Sequence, residues 1–178
     1  MLTARPTKRD KTNRFSLNVL FDILDDDKPF GALVFDKANL TATITLGGKT
    51  YTMAHDTSGD DERLYQALIR AFAGREKPQL QPWALKNSAG QTLALGQLMG
   101  KDFAVGRGEE TFSLRKRSRP YHLYRQGSDQ SLGSVGQEKF FTTTLHMRLP
   151  AEFDPAFQVF LLLLPICLMF LNLGRSTT

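Results

Sequence analysis

A chain of 178 residues that is 41% hydrophobic is long enough to bury one substantial core and too apolar to remain unfolded, and nothing in it requires a second domain. Its single cysteine excludes an intrachain disulfide framework and any cysteine-based metal knuckle. A formal charge of +5 is compatible with an anionic partner but does not demand one.

Residues 1–14, MLTARPTKRDKTNR, set Arg5, Lys8, Arg9, Lys11 and Arg14 against Asp10 alone. That composition predicts a basic disordered arm with no apolar h-region, hence a cytoplasmic address, and the folded domain is expected over 15–174. From Arg14 to Ile23 the apolar residues Phe15, Leu17, Val19 and Phe21 recur at period two, and an apolar strand resumes at Phe30–Phe35 after the turn Asp25-Asp26-Asp27-Lys28-Pro29. Leu40, Ala42, Ile44 and Leu46 share one face of the next strand, and Gly47-Gly48 turns the chain into a hairpin. Leu64, Tyr65, Leu68, Ile69 and Phe72 then recur at helical spacing, predicting one amphipathic helix over about 61–73.

Strands resume at Trp83, with polar turns at Asn87–Gly90, Gly106–Glu110 and Gly127–Asp129, and a last strand is expected over roughly Phe140–Arg148. Short strands separated by turns every eight to twelve residues or so predict an antiparallel barrel or sandwich, because parallel strands need crossover helices.

The chain closes on PAFQVFLLLLPICLMFLNL, residues 155–173, with Asp154 as N-cap, Pro155 at the first helical position and Gly174 as the stop. From Val159 to Leu171 no face of this helix tolerates water, so it must be wrapped either by the rest of the protein or by lipid. At about 1.5 Å per residue it reaches roughly 28 Å, which suits both a bilayer and the axis of a barrel. Gln158, Pro165 and an uninterrupted apolar stretch of only about thirteen residues favour a buried core helix. The competing expectation is a tail-anchored protein whose β-domain faces the cytosol.

The strand cadence of FSLRKR, YHLYRQGSDQSLGSVGQ and FFTTTLHMRLPAEFDPAFQVFLLLLPICLMFL resembles the tubby C-terminal-like superfamily, in particular its small bacterial, LURP-one-related and phospholipid scramblase branches. The resemblance spans roughly residues 15–173. It implies a mainly β fold, a closed antiparallel barrel of about twelve strands around one hydrophobic C-terminal helix. It also implies a non-enzymatic binding or adaptor role at membranes, since tubby proteins bind phosphoinositide head groups through basic residues on the barrel. The cysteine-rich lipidation stretch of scramblases is absent.

The basic cluster that fits such a role is Arg115, Lys116, Arg117 and Arg119, with Arg107 and Arg125 as candidate extensions and the N-terminal arm assisting. An anionic lipid head group at a membrane surface is the expected ligand; no nucleic acid, cofactor or metal is expected. His55, His122 and His146 form no HExxH, there is no G-x-S-x-G elbow, and Gly106, Gly108, Gly133 and Gly136 follow no phosphate-binding pattern and read as turn residues, so no enzyme is expected. Asp25-Asp26-Asp27 lacks the ligand spacing of a calcium loop. Cys167, inside the apolar helix, reads as a packed thiol.

Overall fold

The structure, a computed structural model, describes residues 1–7, 18–56, 62–71, 81–117, 120–137 and 144–175. Twelve strands run in chain order: β1 Leu2–Pro6, β2 Asn18–Asp25, β3 Lys28–Asp36, β4 Thr41–Leu46, β5 Lys49–His55, β6 Trp83–Asn87, β7 Thr92–Met99, β8 Asp102–Arg107, β9 Glu110–Arg115, β10 Tyr121–Arg125, β11 Ser131–Gly136 and β12 Leu145–Arg148. Helix α1, Glu62–Ala71, lies between β5 and β6, and helix α2, Pro155–Arg175, follows β12. Every strand pairs antiparallel with its neighbours in sequence, and β1 pairs with both β2 and β12 to close the barrel.

That closure corrects the expectation of a disordered arm over 1–14. Leu2 and Ala4 point into the core at period two, Thr3 is buried between them, and Arg5 reaches Asp27 in an ion pair. The physical reason is parity: neighbours in an all-antiparallel barrel alternate direction, so eleven strands would leave β2 and β12 unable to pair antiparallel. The remainder of that arm, residues 8–14, lies outside the described residues.

Turns form where the sequence supplies residues that accept positive φ. Asp26 and Asp27 adopt φ of 45° and 63°, Gly47 and Gly48 adopt 53° and 78°, and each pair closes a two-residue hairpin whose twist matches the strands. The acidic run is thus a hairpin turn.

Twelve strands about 4.8 Å apart and tilted about 40° give a backbone cylinder roughly 24 Å across. A helix with its side chains is about 10–12 Å wide, which leaves room for one layer of inward side chains on every side. α2 occupies that axis. Ala156, Phe157, Val159, Phe160 and Leu161 to Leu164 are buried against inward residues of the strands, among them Phe35, Ile44, Met53, Trp83, Phe103 and Phe112. Gln158, the one polar side chain in this run, donates to the Phe153 carbonyl at 2.8 Å. Pro165 is accommodated within the helix.

α1 packs on the outer wall, where Leu64 meets Ala84 and Leu95, and Leu68 meets Ala104. Strands β7 and β8 are consequently buried on both faces. Two glycines permit the helices to approach this wall from opposite sides. A Cβ at Gly106 would stand 3.0 Å from Leu64 of α1, and one at Gly96 would stand 2.6 Å from Leu164 of α2. Gly106 and Gly133 therefore lie inside strands rather than at turns, contrary to their reading from sequence.

Leu163 is completely buried, so Leu163→Ala is expected to cost about 2–5 kcal/mol in urea unfolding, while Leu20→Ala on the outer wall stays within about 0.5 kcal/mol. Burial also pushes the Cys167 thiol from 9.0 up to about 12. A raised thiol favours the folded state below pH 9, and that contribution fades as pH climbs towards about 12. Cys167 is expected to resist a disulfide reagent near neutral pH in the native protein and to react in denaturant; fast native labelling would mean that α2 leaves the barrel.

Candidate functional site

Alternating strand direction sorts the connections between two rims. One rim carries the β2–β3, β4–β5, β6–β7, β8–β9 and β10–β11 turns together with the start of α2; we call it the proximal rim. The distal rim carries the β3–β4, β7–β8 and β9–β10 connections and the end of α2.

This sorting separates the candidate cations. Arg107, at the end of β8, lies on the proximal rim, away from the cluster at the end of β9. Its guanidinium donates to Asp154 Oδ2 at 2.9 Å and stacks over Phe153 and Phe157 at 5.7 and 5.0 Å from the ring centroids. Asp154 Oδ1 simultaneously accepts the Phe157 N–H at 3.0 Å, which makes it the N-cap of α2. Arg107 thus clamps the start of the core helix, on the rim opposite the Arg115–Arg117 cluster. Arg125 on the same rim donates to Glu110 at 2.9 Å.

Arg115 is also committed. It points outward from β9, donates through Nε to Ser113 Oγ at 2.9 Å and through Nη1 to Asp129 at 3.3 Å, and lies 4.6 Å over the Tyr124 ring. Its side chain is only 17% exposed, so it serves to cover Tyr124 and has little surface left for a ligand. Arg119 falls outside the described residues.

Lys116 and Arg117 remain. The Lys116 N–H donates to Asp102 Oδ1 at 3.0 Å, which ties the end of β9 to the start of β8, while its ammonium sits 5.9 Å over the Tyr121 ring. Burial, and then the Asp102 carboxylate, raises the Tyr121 phenol above its ordinary range, so the ring stays neutral beneath that ammonium. Arg117 lies 5.3 Å over Tyr124 and is exposed. Neither side chain pairs with a carboxylate among the described residues.

Among the described turns of this rim stand two further cations, Lys37 in the β3–β4 turn and Lys101 in the β7–β8 turn. Lys37 has its ammonium 5.3 Å over Phe170 of α2. Both are isolated lysines in ordinary turns, so no run or motif marks them; only barrel topology brings them to the end occupied by Lys116 and Arg117. Among the described residues this rim also carries the carboxylates of Asp36 and Asp102, each held by hydrogen bonds from uncharged groups. Asp36 accepts from the Asn39 side chain at 2.7 Å and from the Ala38 N–H at 2.8 Å, which holds its carboxyl below the usual range, and Asp102 accepts from Lys116.

Among the described residues no three His, Cys, Asp or Glu side chains gather in a way that would hold a metal ion. His55 stacks on Trp83 at 4.4 Å and its Nδ1 lies 3.0 Å from the Gln81 carbonyl, while His122 and His146 lie on other strands. The distal rim thus gathers Lys37, Lys101, Lys116 and Arg117 with no carboxylate partner among the described residues. No protein-family model, curated protein or solved structure matches the chain.

Arg107→Ala is expected to lower stability by roughly 1–2 kcal/mol, from the lost charge-assisted hydrogen bond and ring contacts, and to leave anion binding unchanged. Lys116→Ala should do the reverse, with thermal melting and vesicle sedimentation read side by side.

Proposed function

We propose that this protein is a non-enzymatic membrane-surface module, a relative of the tubby C-terminal-like superfamily, that binds anionic lipid head groups of phosphoinositide-like charge at its distal rim. The observation that carries this reading is that Lys37, Lys101, Lys116 and Arg117 stand on one rim with no carboxylate partner among the described residues, whereas Arg107, Arg115 and Arg125 are matched to Asp154, Asp129 and Glu110. Unpaired cations keep their full Coulomb attraction for a ligand, while a matched cation would first have to break its own pair.

Each basic residue close to an anionic leaflet is worth about 1 kcal/mol, so four supply a weak, salt-sensitive attachment suited to a peripheral protein of the cytoplasmic leaflet. The tail-anchored alternative would require α2 to leave the barrel, and the strands would then enclose an empty axis; we do not retain it.

Replacing Lys116 and Arg117 together by Glu is expected to reduce sedimentation with phosphatidylserine- or phosphoinositide-containing vesicles at least about tenfold, with the melting temperature unchanged. Unaltered vesicle binding by that double variant would overturn the reading.

A further inference from the structure

We propose that the last turns of α2, centred on Met169, penetrate the interfacial layer of the membrane that the cationic rim approaches, so that attachment uses an apolar anchor as well as charge. This inference rests on the membrane reading above and specifies how the protein seats on the bilayer.

The reason lies in two unequal lengths. A strand of six residues such as β9, tilted as barrel strands are, is about 15 Å tall along the axis. The continuously buried run of α2, Ala156 to Leu164, is about 13 Å long and fills that height; beyond it Cys167 is still fully buried and the longer strand β3 brings Phe35 against Phe170. α2 nevertheless continues to Arg175. Beyond Leu164 burial fades: Pro165, Ile166, Leu168, Phe170 and Leu171 are half-buried, and Met169 is 53% exposed.

Successive residues of a helix point about 100° apart, and Cys167, Leu168, Met169, Phe170 and Leu171 are all apolar. Cys167 faces the core and Leu168, Phe170 and Leu171 pack against it, so the side chain this turn presents to water, Met169, is apolar. Phe170 packs against Phe35 at 5.6 Å between centroids and carries the Lys37 ammonium above its ring, an apolar body with a cation at its edge. That combination suits the boundary between acyl chains and head groups, where aromatic rings and snorkelling lysines concentrate.

A bilayer is the occupant that fits best, because the same rim that lifts Met169 outward also carries Lys37, Lys101, Lys116 and Arg117, which have no carboxylate partner among the described residues. Charge and apolar surface together point to a target that is anionic at its surface and apolar beneath. A projecting tip needs depth rather than a complementary flat face, and an acyl layer offers depth at any lateral position.

The test uses the full chain carrying Met169→Cys, labelled with a polarity-sensitive fluorophore; native Cys167 is buried and does not compete. Vesicles of phosphatidylcholine are compared with and without phosphatidylserine, and with quenchers placed on the acyl chains. Expected is a blue shift and acyl-chain quenching only with the anionic vesicles. A separate Met169→Gln variant is expected to bind the same vesicles about tenfold less tightly at an unchanged melting temperature, because Met169 leaves roughly half its surface to be buried. A label that stays in water while the protein sediments with anionic vesicles overturns insertion and leaves the head-group reading standing. Failure to sediment with any vesicle overturns both. A label that becomes buried without vesicles, as protein concentration rises, overturns insertion in favour of a second copy of the chain.

Discussion

An apolar helix and a closed sheet make each other possible here. α2 has no face that tolerates water, and a barrel of this circumference has an axis too wide for its own inward side chains to fill. Burying either alone would leave a bare helix or a void, and both are far more costly than the few kcal/mol by which a domain of this size is stable. The hydrophobic effect therefore acts on the two as one cooperative unit: Phe157, Phe160 and Leu161 to Leu164 on the helix, and Phe35, Trp83, Phe103 and Phe112 on the wall.

The secondary devices of the fold serve that enclosure. Arg107 and Asp154 fix where the helix starts, and the Gln158 amide finds the Phe153 carbonyl so that the run carries no unsatisfied donor. Gly96 lets α2 lie against β7, and Gly106 lets α1 seal the outside of the same wall. β1 removes the last free edges, which would otherwise invite pairing with other chains. Arg107 illustrates how a cation that looks like a binding residue is consumed by architecture.

Enclosure also makes the two ends of the barrel unlike. The proximal rim holds the helix start, and its arginines Arg107 and Arg125 are matched to carboxylates. The distal rim receives the end of the helix, and there Lys37, Lys101, Lys116 and Arg117 have no carboxylate partner among the described residues. On the proposed membrane reading, anionic attraction and apolar insertion would each be weak alone, and stable membrane anchoring generally takes two such signals.

Local rules determined much of this from sequence alone. Period-two alternation located β2 and β4, turn spacing located the strands after Trp83, Asp26-Asp27 and Gly47-Gly48 marked turns, helical spacing at Leu64 and Leu68 marked α1, and the uniformly apolar run after Asp154 required a wrapped helix. These are properties of residues a few positions apart, which is why a sequence displays them. The closing strand, the separation of Arg107 from Lys116 and Arg117, and the gathering of Lys37 and Lys101 at their rim were decided only by the tertiary structure. Each depends on how many strands close the ring and which way each one runs. The exposed tip at Met169 depends on the difference between wall height and helix length, and no local window of the chain contains both quantities.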